Sequence, residues 1–82
     1  MEKTTLPDGD WIIRVIVTGK NNIEIPQFIR CRIKNGVIPS EGKTISYLAK
    51  REGYEEGTNY YIKGISPFIE DIDAARFPDI ME

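Results

Sequence analysis

The sequence contains no histidine and only one cysteine, Cys31. Histidine is the commonest general base near neutral pH, and a catalytic cysteine is usually activated by a histidine, so both absences argue against a catalytic site. A lone cysteine also excludes an internal disulfide, and zinc sites are built mainly from cysteine and histidine. We therefore expect no enzyme activity, no metal site and no cofactor.

Long apolar runs are missing as well, because the longest span two or three residues. A membrane-spanning helix needs about 20 apolar residues. Residues 1–10 contain no apolar core of the kind found in signal peptides. The sequence thus predicts no membrane segment, and the low cysteine content favours a cytoplasmic location.

The chain has 82 residues, of which 40% are hydrophobic and 29% charged, and this composition is typical of one folded domain over residues 1–82. Residues 11–18 alternate with period two and are apolar on both faces, which predicts a central strand. Residues 23–34 predict a second strand, in which Pro26 marks an edge, a bulge or a start. Asn35 and Gly36 then form a two-residue hairpin signal.

The second half of the chain predicts two helices with a strand between them. Thr44 is a candidate N-cap for a helix over residues 45–52, and Gly53 is placed to end it. Residues 58–65 are rich in β-formers and predict a strand. Pro67 favours the start of a second helix, whose apolar stripe comprises Phe68, Ile72 and Ala75 and which Pro78 ends. The whole pattern predicts an α+β fold, a small antiparallel sheet of three to four strands with one or two helices packed on one face.

Charge is unevenly distributed along the chain. Residues 27–51 carry six basic side chains and one acidic side chain, whereas residues 67–82 carry one basic and five acidic side chains. The two regions could each meet a partner, or they could neutralise each other within the fold.

The acidic C-terminal segment is the basis of the leading functional hypothesis, a small non-catalytic adaptor or inhibitor that binds another protein. Small acidic proteins of phages and mobile elements often inhibit nucleic-acid enzymes by occupying basic grooves, and this chain is similar in size and charge. Charge complementarity would come from Glu70, Asp71, Asp73 and Asp79. Aromatic anchors would come from Tyr54, Tyr60, Tyr61 and Phe77.

A basic strand face supports an alternative hypothesis, a nucleic-acid-binding module. Alternate residues on a strand are about 6.7 Å apart, close to the spacing of phosphates along a nucleic-acid strand. Basic groups interleaved with aromatic rings can hold a single strand. The predicted face consists of Phe28, Arg30, Arg32 and Lys34, with Lys63 on another strand. A third hypothesis is a homo-oligomer formed through an exposed strand edge.

Residues 48–53, followed by 58–65, resemble the helix-turn-helix of MerR-type regulators and phage excisionases. The resemblance depends on the spacing of Ala49 and Gly53, on Thr58 five residues later and on the paired tyrosines that follow. It implies a recognition helix over residues 58–63 that would enter the major groove of DNA. The strand prediction for the same residues remains open beside it.

Overall fold

The computed structural model describes residues 6–81, and within that range it contains four strands and two helices. The elements are β1 (Gly9–Thr18), β2 (Glu24–Ile33), α1 (Glu41–Glu52), β3 (Asn59–Pro67), α2 (Glu70–Asp73) and β4 (Ile80–Met81). The strands form one sheet in the order β3-β1-β2-β4. The predicted α+β class is confirmed, and the sheet is mixed because β4 runs parallel to β2. Residues 1–5, within the stretch that lacks a signal-peptide core, and Glu82, at the acidic end, lie outside the described range.

β1 is the central strand, as its two apolar faces predict. It pairs antiparallel with β2 on one side and with β3 on the other. One face of the sheet packs against α1, and the core lies between them. The buried hydrophobic cluster comprises Ile13, Val15, Val17, Ile29, Cys31, Ile33, Leu48 and Met81.

The turn after β2 has the predicted geometry. Asn35 and Gly36 have φ values of 56° and 71°, and the Val37 N–H donates to the Lys34 carbonyl over 3.0 Å. Positive φ at both central positions matches the right-handed twist of the flanking strands. The chain that returns from this turn forms only a single bridge, between Lys34 and Val37, because Pro39 follows two residues later.

Helix α1 begins earlier than the sequence suggests, so the N-cap prediction is wrong. Ser40 is the N-cap, and its side chain accepts a hydrogen bond from the Lys43 N–H over 3.2 Å. Thr44 lies one turn inside the helix, is buried, and donates its hydroxyl back to the Ser40 carbonyl over 2.9 Å. Gly53 ends the helix at φ 71°, as predicted, and its N–H donates to the Ala49 carbonyl.

Residues 59–67 form an extended strand along β1, which confirms the predicted strand and contradicts the helix-turn-helix alternative. The β-forming tyrosines favour this conformation, and pairing with β1 leaves no recognition helix in residues 58–63. The strand contains one irregularity. Arg14 pairs with Gly64 and Val15 pairs with Ile62, so Lys63 is the extra residue of a β-bulge.

The predicted second helix is much shorter than the sequence suggests. Pro67 pairs with Trp11 at the end of β3, and the Phe68 N–H extends the ladder by donating to the Asp10 carbonyl over 3.1 Å. Helix α2 therefore starts only at Glu70 and spans four residues. A helix of one turn cannot bury a stripe, so Ile72 and Ala75 are exposed and only Phe68 is half-buried.

Strand β4 was not predicted, because its two residues carry too little pattern. Ile80 and Met81 pair with Arg30 and Cys31, and Met81 is buried. Residues 68–79, which we call the C-terminal strap, therefore cross from the end of β3 to the edge of β2. Along residues 6–81, we find no helix long and apolar enough to cross a membrane.

Candidate functional site

Two arginines of the basic strand face, Arg30 and Arg32, share one carboxylate inside the fold, that of Asp10. Arg30 donates from Nε over 3.0 Å and from Nη2 over 2.6 Å to the same oxygen, Oδ2 of Asp10. Arg32 donates from Nε to the other oxygen, Oδ1, over 3.0 Å. The side chains of Arg30 and Asp10 retain only 17% and 15% of their exposure. Among residues 6–81, the carboxylate that pairs with Arg30 and Arg32 comes from β1.

Arg30 also holds the C-terminal strap in place. Its Nη1 donates to the Phe77 carbonyl over 3.1 Å, and its guanidinium carbon lies 4.0 Å from the centre of the Phe68 ring. A desolvated arginine over an aromatic ring contributes a cation–π attraction as well as packing. Arg30 therefore joins β1, β2 and the strap, and it is a structural junction with little surface left for a ligand.

The charge state of this junction depends on the Asp10 carboxyl. Burial alone raises the pKa of Asp10, but hydrogen bonds from Arg32 and Arg30, together with their charges, outweigh burial and hold the pKa below its usual value. The carboxylate is therefore ionised at neutral pH and stays ionised into mildly acidic solution.

The other residues of the predicted basic face are dispersed. Phe28 is half-buried, with its ring centre 5.7 Å from that of Phe77 in the strap. Lys34 is exposed beside the hairpin turn, and Lys63 is exposed at the bulge of β3. Phe28 contacts the strap, and Lys63 is on β3, which β1 separates from β2, so these side chains form no continuous row.

A shallow cavity of about 320 Å³ lies at the edge of β2. The Arg51 guanidinium reaches into this region from α1 and donates from Nη1 to the Phe28 carbonyl over 3.0 Å. Arg76 and Asp79 also line the cavity, so its walls carry both signs of charge. The edge of β2 is partly capped here, which disfavours pairing with another strand.

The carboxylates of the acidic segment occupy different environments. Glu70 and Asp71 are exposed, and neither forms an ion pair with any residue between 6 and 81. Asp73 is half-buried, and its Oδ2 accepts a hydrogen bond from the Ile69 N–H over 2.9 Å. Asp79 is exposed beyond the strap turn. Glu70 and Asp71 are therefore available to a partner, whereas Asp73 orders the turn that presents them.

Two exposed isoleucines flank these carboxylates, and the sequence pattern does not indicate them as site residues. Ile69 is 53% exposed and Ile72 is 59% exposed. The helical periodicity of the sequence predicts that Ile72 packs against the sheet. Because α2 spans only four residues, the Ile72 side chain faces solvent instead. We call residues 69–73 the acidic ledge.

The predicted aromatic anchors are mostly used inside the fold. Tyr54 and Tyr60 pack against the core with ring centres 6.2 Å apart, and the Tyr54 hydroxyl accepts a hydrogen bond from Gln27 over 2.6 Å. Phe77, in the strap, packs its ring at an angle against Phe28 on β2. Tyr61 is the exception, because 66% of its surface is exposed.

Cys31 is fully buried in the core. Burial first, and then the charge of Asp10, raise the pKa of its thiol, which disfavours the reactive thiolate. In the part of the chain that the structure describes, no three acidic, cysteine or histidine side chains converge as metal ligands would.

Fold and surface together define a small α+β domain with an arginine–aspartate junction, an ordered acidic ledge and one exposed tyrosine. Comparison of the chain with protein-family models, with curated proteins and with solved structures finds no match.

Proposed function

We propose that this chain is a non-catalytic interaction protein that binds another protein through its acidic ledge. The observation that carries the proposal is the exposure of Ile69 and Ile72 on either side of Glu70 and Asp71, two carboxylates without an ion-pair partner in the described part of the chain. Clustered apolar surface rimmed by polar groups is typical of an interaction site.

The chemistry of the ledge defines the partner surface. Burying each isoleucine side chain is worth roughly 1.5–3 kcal/mol before the costs of association. Carboxylates beside the apolar pair favour lysine or arginine at the rim of the partner cleft, and such complementarity controls specificity and association rate. The expected partner surface is an apolar cleft with a basic border.

The ledge is ordered before it binds, which supports the proposal. Within it, the Asp73 N–H donates to the Ile69 carbonyl over 2.7 Å, and the Asp73 side chain closes the same turn. On its two sides, Phe68 lies under the Arg30 guanidinium and Phe77 packs against Phe28. A preorganised segment loses less conformational entropy on binding, so more of its contact energy becomes affinity.

An inhibitor of a nucleic-acid enzyme is the finer form of this proposal. The groove through which such an enzyme carries its substrate is basic, and the ledge offers carboxylates next to apolar side chains. In that case nucleic acid should compete with the protein for the enzyme, and salt should weaken the complex.

Capture by the immobilised protein from an extract of its source cells tests the proposal. The ledge variant E70K/D71K should lose the captured partner, because it reverses both exposed carboxylates of the ledge. The matched control E55K/E56K reverses two exposed carboxylates in the loop before β3 and should retain it. Equal capture by the two variants would remove the ledge from the interaction.

A further inference from the structure

The sheet face opposite α1 is only partly covered by the C-terminal strap. Beyond Phe28, towards the turn between β1 and β2, one row of side chains runs across three strands, from Tyr61 on β3 to Ile16 on β1 and Pro26 on β2. Tyr61 and Pro26 are exposed, and Ile16 is half-buried on the central strand. We call this row the open face.

Two cations border the open face. Arg14 lies two residues before Ile16 on β1, and its guanidinium extends over Gly64, where a Cβ atom would come within 3.4 Å of Nη2. Lys63 is the exposed extra residue of the β3 bulge, two positions from Tyr61. Over residues 6–81 neither cation has a carboxylate within ion-pair distance.

Within residues 6–81, the carboxylates on this face lie outside the two rows that contain Tyr61 and Arg14. On the same face, Asp10 is held by Arg30 and Arg32, and Glu24 lies one row beyond the open face, paired with Thr18 and two residues before Pro26 on β2. The rows that contain Tyr61 and Arg14 hold no carboxylate. A chain with a net charge of −2 thus has a locally cationic surface around one exposed ring.

We infer that the open face binds single-stranded nucleic acid. A base would stack on the Tyr61 ring, and Arg14 and Lys63 would contact the phosphates on either side. Every base has a π face, so a ring flanked by cations binds single strands with little sequence preference. The inference is independent of the acidic ledge, which lies on the strap, and a chain with both surfaces would link a nucleic acid to a protein.

Fluorescence anisotropy with a labelled oligothymidine of about 12 nucleotides tests the inference at a monovalent salt concentration of about 50 mM. The wild-type protein should bind, and Tyr61→Ala should weaken binding roughly 5- to 100-fold because the stacking ring is lost. Tyr61→Phe keeps the ring and should stay within about threefold of the wild type. Arg14→Ala should lower the salt slope by about 0.7, the value of one phosphate contact on a single strand.

Lys50→Ala is the matched control for Lys63→Ala, since Lys50 is an exposed lysine on α1. Lys50→Ala should leave the affinity for the oligonucleotide unchanged, and Lys63→Ala should reduce that affinity. Absence of binding by the wild type, or equal binding by Tyr61→Ala, would overturn the inference. Light scattering that shows a dimer lost in Tyr61→Ala would overturn it as well, because a second copy would then occupy the face.

Discussion

Arg30 reaches Asp10 diagonally across the β1–β2 ladder. Asp10 pairs directly with Arg32, and Arg30 pairs with Ile12, two residues further along β1. Diagonal neighbours are within reach of long side chains, and Arg30 places two N–H groups on one oxygen of Asp10, at 2.6 and 3.0 Å. The same guanidinium then contacts Phe68 and Phe77. This pair therefore determines how the strap, and with it the acidic ledge, is attached to the sheet.

Asp10→Asn should destabilise the protein by about 1–3 kcal/mol, the penalty for leaving a buried donor or acceptor without its partner. Urea denaturation followed by the fluorescence of Trp11 measures this as a lower midpoint with an unchanged slope. Glu55→Gln is the control, because the Lys20–Glu55 pair is about 80% exposed on both sides. Its midpoint should stay within experimental error. Equal effects of the two substitutions would contradict the importance of the junction.

The junction should also make stability depend on acid. The pKa of Asp10 is lower in the folded protein than in the unfolded chain, so its contribution is complete above the unfolded pKa of about 3.9 and is lost as the pH falls through the folded value. The free-energy difference between wild type and Asp10→Asn should be constant from neutral pH to about pH 5 and should shrink below about pH 4. A difference that grows on acidification would contradict this assignment.

Gly53 and Gly42 provide a matched test of the α1 ends. A Cβ atom would meet nothing within 4 Å at either position, but only Gly53 has a positive φ, of 71°. Gly53→Ala should cost about 1 kcal/mol through backbone strain. Gly42→Ala should stabilise the protein by about 0.5–1 kcal/mol through lower chain entropy in the unfolded state. Thermal denaturation should show a lower melting temperature for Gly53→Ala and a higher one for Gly42→Ala. A change in the same direction for both variants would contradict the role of backbone φ.

Cys31 should react with a thiol reagent only when the protein opens. It is fully buried, and its thiol pKa is raised. With Ellman's reagent, native protein should be labelled slowly, and urea above the unfolding midpoint should give rapid reaction of one thiol per chain. Fast and complete labelling in native buffer would contradict the burial of this strand.

Local rules predicted the parts of the fold that local contacts determine. The alternation in residues 11–18, the Asn35-Gly36 turn and the Gly53 cap each depend on neighbours a few residues away. Ser40 and Thr44 are both good N-caps, so sequence alone could not choose between them. The choice follows from packing, because Thr44 is buried beneath the helix.

The strap could not be predicted, because long-range contacts shape it. The hydrogen bond from Phe68 to Asp10 continues the β1–β3 ladder one residue past Pro67, so α2 starts later and spans only four residues. Alternation alone places Arg30 outward, towards solvent, and does not reveal a carboxylate 20 residues away. The acidic residues of the site were therefore found from composition, whereas the isoleucines beside them required the fold.

Site-specific photo-crosslinking most directly tests the central claim that the acidic ledge is the protein-binding surface. A photoreactive residue replaces Ile72 in one variant and Ile23 in another; these isoleucines are 59% and 56% exposed and lie in different parts of the surface. In extract of the source cells, we expect the variant with the photoreactive residue at position 72 to form a covalent adduct with a partner protein. The adduct should disappear when E70K/D71K is introduced into the same variant. The variant with the photoreactive residue at position 23 should form no such adduct. Adducts of equal yield at both positions, or only at position 23, would contradict it.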